Sequence, residues 1–111
     1  MPTEEEADRI ARTESLFREV NERIAETAER FDSAETEFVC ECADPSCTRR
    51  IDATLEQYES VRSDGASFLL ANGHEDERVE QIVEVDDDAT VVQKQHPSVE
   101  PLVRALDPRT G

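Results

Sequence analysis

The chain carries the stretch Phe38-Val39-Cys40-Glu41-Cys42-Ala43-Asp44-Pro45-Ser46-Cys47, which contains all three of its cysteines. Acidic and apolar residues alternate at its start, which predicts a short strand with Cys40 and Cys42 on one face. Pro45 and its polar neighbours predict a turn. A second strand over residues 48–53 would then bring the last cysteine back toward the first two. The pattern therefore predicts a hairpin that gathers three thiols.

We predict that Cys40, Cys42, Cys47 and His74 bind one metal ion. His74 follows the Asn72-Gly73 pair, which is typical of a tight turn. Closely spaced cysteines in a reducing compartment more often hold metal than form disulfides. Zinc is the expected cofactor, because it accepts tetrahedral thiolate and imidazole ligands. Four protein ligands leave no position for a substrate, so the predicted site is structural.

Several alternatives to this ligand set stay open. His96 is the rival histidine, although its position before Pro97 predicts a place at the surface. Glu41 or Asp44 can supply an oxygen ligand if His74 does not. The thiols can also be free and redox-active, or bind iron, whose clusters generally use other cysteine spacings.

The sequence contains no catalytic motif of comparable strength. The zinc deaminase pattern needs a PCxxC segment, which is missing, and GxSxG, HExxH and phosphate-binding glycine loops are also missing. Asp86, Asp87 and Asp88 lack the spacing of a calcium-binding loop and predict a solvated turn. We therefore expect no catalytic residues and a protein that is not an enzyme.

Charge and hydropathy restrict the partners and the location. The formal net charge is -16 at pH 7, which disfavours direct binding to nucleic acid or to an anionic membrane. A protein partner, and a basic one in particular, is compatible with this charge. No apolar run approaches the roughly 20 residues of a membrane span, and Met1–Glu6 has no secretory character. The expected location is cytoplasmic.

Residues 1–35 are predicted to form an N-terminal amphipathic helix, set apart from the rest by a break at Ser33-Ala34-Glu35. Its apolar residues follow a heptad-like seam, interrupted by two threonines and formed by Ile10, Phe17, Val20, Ile24 and Phe31. This seam predicts either packing on the helix's own domain or a homodimer. Acids precede arginines by four residues, as in Asp8/Arg12 and Glu14/Arg18, which favours ion pairs along the helix.

Residues 36–111 are predicted to form a small zinc-binding domain, so that the whole chain is α+β. We expect a small antiparallel sheet, linked by the zinc site, with one or two short helices. Thr54-Leu55-Glu56-Gln57 is a capping box that starts one of them, and Gly65 is placed to end it in a left-handed conformation. Two further strands, at about 79–85 and 90–95, predict a hairpin.

The chain also resembles an uncharacterised family of short acidic bacterial proteins. The resemblance rests on CxCxxxxC at Cys40–Cys47, on Gly73-His74-Glu75, and on scattered positions up to Asp107. In that family the three cysteines and the GHE motif occur together, which implies one shared site. The resemblance implies no activity, substrate or partner.

Three functions are compatible with these features. The first is a non-enzymatic interaction or regulatory module that contains a structural zinc site. The second is a thiol-based redox switch or metal sensor, in which Arg49 and Arg50 would favour the reactive thiolate. The third is an acidic decoy for a nucleic-acid-binding protein, supported by the net charge alone.

Overall fold

The computed structural model describes residues 2–32 and 35–109, which form helices and antiparallel strands. The elements are α1 (Glu4–Arg30), β1 (Thr36–Val39), β2 (Arg50–Ala53), α2 (Leu55–Arg62), β3 (Ser67–Leu70), β4 (Glu80–Val85), β5 (Thr90–Lys94) and α3 (Glu100–Ala105). The predicted α+β class is confirmed. Most of the predicted break lies outside the described residues, and the division at residue 35 stays a prediction.

The strands form two antiparallel sheets. β1 and β2 make the predicted hairpin, with Phe38 opposite Ile51. The other sheet has the order β3-β5-β4, and a bulge interrupts β4 between Ile82 and Glu84. The core lies between these sheets and the helices, and its centre includes Phe38 stacked on Tyr58 with ring centroids 4.6 Å apart.

The long helix α1 packs against β1, α2 and α3. Thr3 caps its first turn by accepting a hydrogen bond from the Glu6 backbone N–H. Small and polar residues dominate its buried face, namely Ala7, Ala11, Glu14, Ser15, Arg18, Asn21, Ala25 and Ala28. The predicted apolar seam lies beside this face, with Val20 and Phe31 exposed. The described helices include none with the length and apolar character to cross a membrane.

A buried charge cluster joins α1 to the β3-β5-β4 sheet. The Lys94 ammonium donates to Glu14 at 2.5 Å and to Glu80, and all three side chains are almost fully buried. Asp8 and Arg12 do form their predicted ion pair, with 2.9 Å between N and O. Glu14 and Arg18 do not form their predicted ion pair, because each side chain bonds to a partner outside α1. Arg18 instead donates to the carbonyls of Gly65 and Val103.

The two predicted ends of α2 have different outcomes. The capping box at its start is confirmed, since Thr54 and Gln57 each accept a hydrogen bond from the other's backbone N–H. The predicted left-handed conformation of Gly65 is wrong: Ser63 caps the helix, and among the described glycines it is Gly73 that has a positive φ. Gly65 is needed for close packing instead, because a Cβ there would lie 2.8 Å from a carboxylate oxygen of Asp107.

Candidate metal centre

The structure brings the four predicted ligands together. One candidate ligand atom from each of Cys40, Cys42, Cys47 and His74 lies within 4.8 Å of the other three. His74 Nδ1 is 3.6 Å from Cys40 Sγ and 3.6 Å from Cys47 Sγ. Bond lengths of about 2.3 Å to sulfur and 2.0 Å to nitrogen give a tetrahedral edge of about 3.5 Å. The group is therefore spaced to hold one metal ion.

The β1–β2 hairpin positions the three cysteines. The Cys40 backbone N–H donates to the Arg49 carbonyl, which continues the ladder beyond β1. At the tip, the Cys47 N–H donates to the Asp44 carbonyl at 3.0 Å, and the Asp44 side chain accepts from the N–H and hydroxyl of Ser46. These bonds close a tight turn, and that turn places the third thiol beside the other two.

His74 reaches the thiols from the loop that follows β3. Its N–H donates to the Ala71 carbonyl at 3.1 Å, and Gly73 within this turn has φ +86°, which glycine adopts without strain. The Asn72 side chain donates to backbone carbonyls of the β4–β5 turn and accepts from Thr90 at 2.6 Å. The histidine loop is thus anchored to the three-stranded sheet.

The four candidate ligands are unequally buried. Cys40 and Cys42 are buried, whereas Cys47 and His74 are partly accessible. Burial raises the pKa of the Cys40 and Cys42 thiols, and a hydrogen bond from the Ala71 N–H to Cys40 Sγ at 3.1 Å acts in the opposite direction. A bound cation would reverse this balance, because a coordinating thiol is deprotonated.

Glu41 is the functional residue whose role the sequence did not reveal. It lies between two candidate ligands in the sequence and is fully buried, but its carboxylate does not belong to the group of candidate ligand atoms. It accepts hydrogen bonds from the Leu69 N–H at 2.9 Å and from the Asn21 side chain at 2.7 Å. The Asn21 side chain also donates a hydrogen bond to the Val39 carbonyl and accepts one from the Val39 N–H. These bonds fix the cysteine segment against α1 and β3.

Glu41 is therefore committed to other partners and does not join the ligand group. His96 also lies outside that group, and its Nδ1 accepts from the Ser98 N–H at 3.1 Å. Asp44 is exposed and occupied with Ser46. Alternation in the sequence had placed Glu41 opposite the cysteines, but only the position of Asn21 on α1 explains why a carboxylate is buried there.

Comparison with known proteins gave no match to a family model, to a curated protein or to a solved structure. The resemblance to an uncharacterised bacterial family stays a prediction. The geometry of the Cys3His group is accordingly the basis for inferring a function.

Proposed function

We propose that this chain is a small zinc-binding protein whose Cys3His site is structural. The observation that carries the proposal is the mutual proximity of three thiols and one imidazole, within 4.8 Å, at spacings that suit a tetrahedral ion. Three thiolates and an imidazole are a common structural ligand set for zinc. The described residues form no disulfide that would consume these thiols.

In this proposal the ion links two parts of the chain that are distant in sequence. Cys40, Cys42 and Cys47 belong to the β1–β2 hairpin, and His74 belongs to the loop between β3 and β4. A closed tetrahedron offers no position for a substrate, so the protein acts non-enzymatically, as a cytoplasmic interaction or regulatory module. A basic protein partner suits the net charge of -16.

Metal analysis of protein purified without chelator tests the proposal. We expect one equivalent of zinc per wild-type chain, and less than about a tenth of an equivalent in His74→Ala and Cys47→Ser, because structural sites need all four ligands. His96→Ala is the matched control and should retain the wild-type content. Wild-type protein without zinc, or zinc that persists in His74→Ala, would refute the ligand assignment.

A second candidate function, a redox switch at the same site, is favoured by the partial exposure of Cys47. Hydrogen peroxide would take two electrons from two thiolates, and with two protons it would give a disulfide and two waters, releasing the metal. We expect mild peroxide to release zinc and a thiol reductant to restore binding. Zinc that stays bound under a peroxide dose that oxidises free cysteine in solution would leave only the structural role.

A further inference from the structure

Strand β4 forms a free edge of the three-stranded sheet. It pairs with β5 on one side, and no strand of the described residues pairs with its other side. The Val79 carbonyl accepts a hydrogen bond from the Gln95 N–H at 2.9 Å, so the backbone of Val79 faces the β5 side. Because inward and outward residues alternate along an antiparallel strand, the N–H and C=O of Ile82 point away from β5. The edge therefore presents backbone groups to which another strand can bond.

Apolar side chains are exposed along this edge. All residues of β4 after the first are exposed, and they include Ile82, Val83 and Val85, which are 42%, 50% and 60% exposed. Ile82 lies opposite Val92, and Val85 lies opposite Thr90. Since residues two apart on a strand share a face, Ile82 and Val85 lie on one face of the sheet. That face offers apolar contacts to a strand placed beside β4.

The other face of the sheet borders a cavity of about 270 Å³, which lies between the sheet, β2 and α2. Glu84 lies opposite Val91, and Val91 lies opposite Leu69, so all three share this face. A cavity with apolar and acidic walls suits an arginine or lysine, whose stem is apolar and whose end is cationic. Its apolar residues are Ala53, Val61, Leu69, Val83, Ala89 and Val91, its acids are Asp52, Asp64, Glu84, Asp86 and Asp88, and its described lining includes no basic residue.

We propose that the free edge of β4 binds an extended basic segment of a protein partner, which adds a strand to the sheet. In this mode of recognition, backbone hydrogen bonds give affinity and side-chain contacts give specificity. Successive side chains of the added strand would lie on opposite faces. Arginine or lysine on one face would reach Glu84 and the cavity, and apolar residues on the other would lie beside Ile82 and Val85. The proposal rests on the interaction role proposed above and names the surface and the partner's sequence pattern.

Charge favours a basic partner over a second copy of this chain. Glu84 and residues 86–88 are acidic, and residues 79–90 include no lysine or arginine. Two β4 edges would bring these acids together, and like charges on paired strands are destabilising. Charged residues and bulges also protect an edge against self-association, and β4 has a bulge between Ile82 and Glu84. A strand with basic residues meets no such repulsion, because its charges are complementary.

Peptide titration of the full chain tests this docking site. The probes are peptides of about eight residues that alternate Arg or Lys with Val, Ile or Thr. We expect dissociation constants between about 10 µM and about 1 mM, which rise with salt. Hydrogen exchange of the Ile82 amide should slow on binding, because this N–H becomes hydrogen-bonded. The same peptides methylated at every backbone nitrogen keep their charge but lose their donors, and should bind about tenfold more weakly or worse.

Variants of the chain separate the edge from general acidity. Glu84→Gln should weaken binding about two- to fivefold, and Ile82→Pro about tenfold or more, since proline lacks the outward N–H. Glu26→Gln, at an exposed position on α1, makes the same change in net charge and should bind like wild type. Circular dichroism checks that Ile82→Pro stays folded, and the comparison with methylated peptides needs no variant.

Three results would overturn the proposal. The first is a peptide set in which no member binds more tightly than its methylated counterpart. The second is binding that leaves exchange of the Ile82 amide unchanged, and the third is an equal loss of affinity in Glu26→Gln and Glu84→Gln. Zinc content is measured in each sample. Protein with one equivalent of zinc and no peptide binding refutes the docking site alone, whereas peptide binding without zinc refutes the metal assignment alone.

Discussion

The candidate metal centre and the buried Glu14–Lys94–Glu80 cluster both bring distant segments of the chain together, but they differ in how the sequence encodes them. Three of the four proposed metal ligands lie within residues 40–47, and the sequence has no other cysteine. The charge cluster joins three elements through the most ordinary residues of an acidic chain. Cysteines at short spacing predict a metal site from the sequence alone. A cluster of charged residues can be recognised only when the structure shows that the residues are buried.

The two sites should also differ in how they contribute to stability. A metal ion supplies favourable binding energy that the chain lacks without it. A buried ion pair gives little net stabilisation, because desolvation offsets the attraction between the charges, yet breaking it is costly. Removal of the ion and removal of the lysine are therefore the most informative perturbations.

Chelation should have the largest effect. Structural zinc binds zinc-finger peptides with roughly 10–16 kcal/mol, so EDTA should lower the free energy of unfolding by more than about 5 kcal/mol. Urea unfolding followed by circular dichroism, with and without EDTA, measures this. His74→Ala is the control, since EDTA should leave its unfolding curve unchanged. A wild-type shift of less than about 1 kcal/mol would show that no structural ion is present.

Lys94→Ala should cause the second largest loss of stability. It leaves the buried carboxyl groups of Glu14 and Glu80 without the ammonium group that they share and should destabilise the fold by about 3–5 kcal/mol. The same unfolding assay applies, and zinc content should stay at the wild-type level. Arg12→Ala removes an exposed pair with Asp8 and should cost less than about 1 kcal/mol. Equal effects of the two substitutions would mean that the cluster is not buried in solution.

The charge cluster should also make stability depend on pH. Burial raises the pKa of Glu14 from 4.5 to about 8, although Lys94 acts to lower it. The folded chain thus keeps a proton that the unfolded chain releases. The stabilisation is complete below pH 4.5 and is lost as the pH rises through about 8. The slope is at most about 1.4 kcal/mol per pH unit.

Glu14→Gln removes this titration and provides the comparison. Unfolding of the metal-loaded wild type and variant between about pH 5 and about pH 9 should show the wild type losing stability relative to Glu14→Gln as the pH rises. The difference between the curves cancels the pH dependence of metal binding, which both proteins share. Parallel curves would mean that Glu14 titrates normally.

We expect the smallest effect on stability from the capping box of α2, which the sequence already predicts. Thr54→Ala removes the side-chain acceptor of the α2 capping box and should cost about 1 kcal/mol. Thr27→Ala, at an exposed position inside α1, should change stability by less than about 0.5 kcal/mol. Thermal unfolding of both variants gives the comparison. A Thr54→Ala effect as small as that of Thr27→Ala would mean that the box adds nothing in the folded protein.

Features encoded in short sequence windows were predictable. The α+β class, the capping box and the hairpin that carries Cys40, Cys42 and Cys47 all follow from local spacing. The buried face of α1 was not predictable in this way, because the helical spacing of large apolar residues such as Phe17 and Val20 points to a different face. The face that packs inside uses alanines and buried polar side chains whose partners lie up to 85 residues away in the sequence.

Glu14 and Arg18 illustrate the physical reason. Their spacing favours a pair on an exposed helix, worth only a few tenths of a kcal/mol. Buried carbonyls and a buried ammonium offer each of them a stronger partner, and no local rule reveals those partners. Gly65 is a further example. A glycine is needed there because a Cβ would clash with Asp107, which is distant in sequence, and not because α2 ends nearby.

Cobalt titration of the metal-free protein tests the central claim most directly. Tetrahedral cobalt bound by thiolates gives intense visible absorption bands and a thiolate-to-metal charge-transfer band in the near ultraviolet, whereas octahedral cobalt absorbs weakly. We predict intense bands that saturate at one equivalent in the wild type and are abolished by one equivalent of zinc. A weak octahedral spectrum, or an intense spectrum that is identical in His74→Ala, would contradict a Cys3His metal centre.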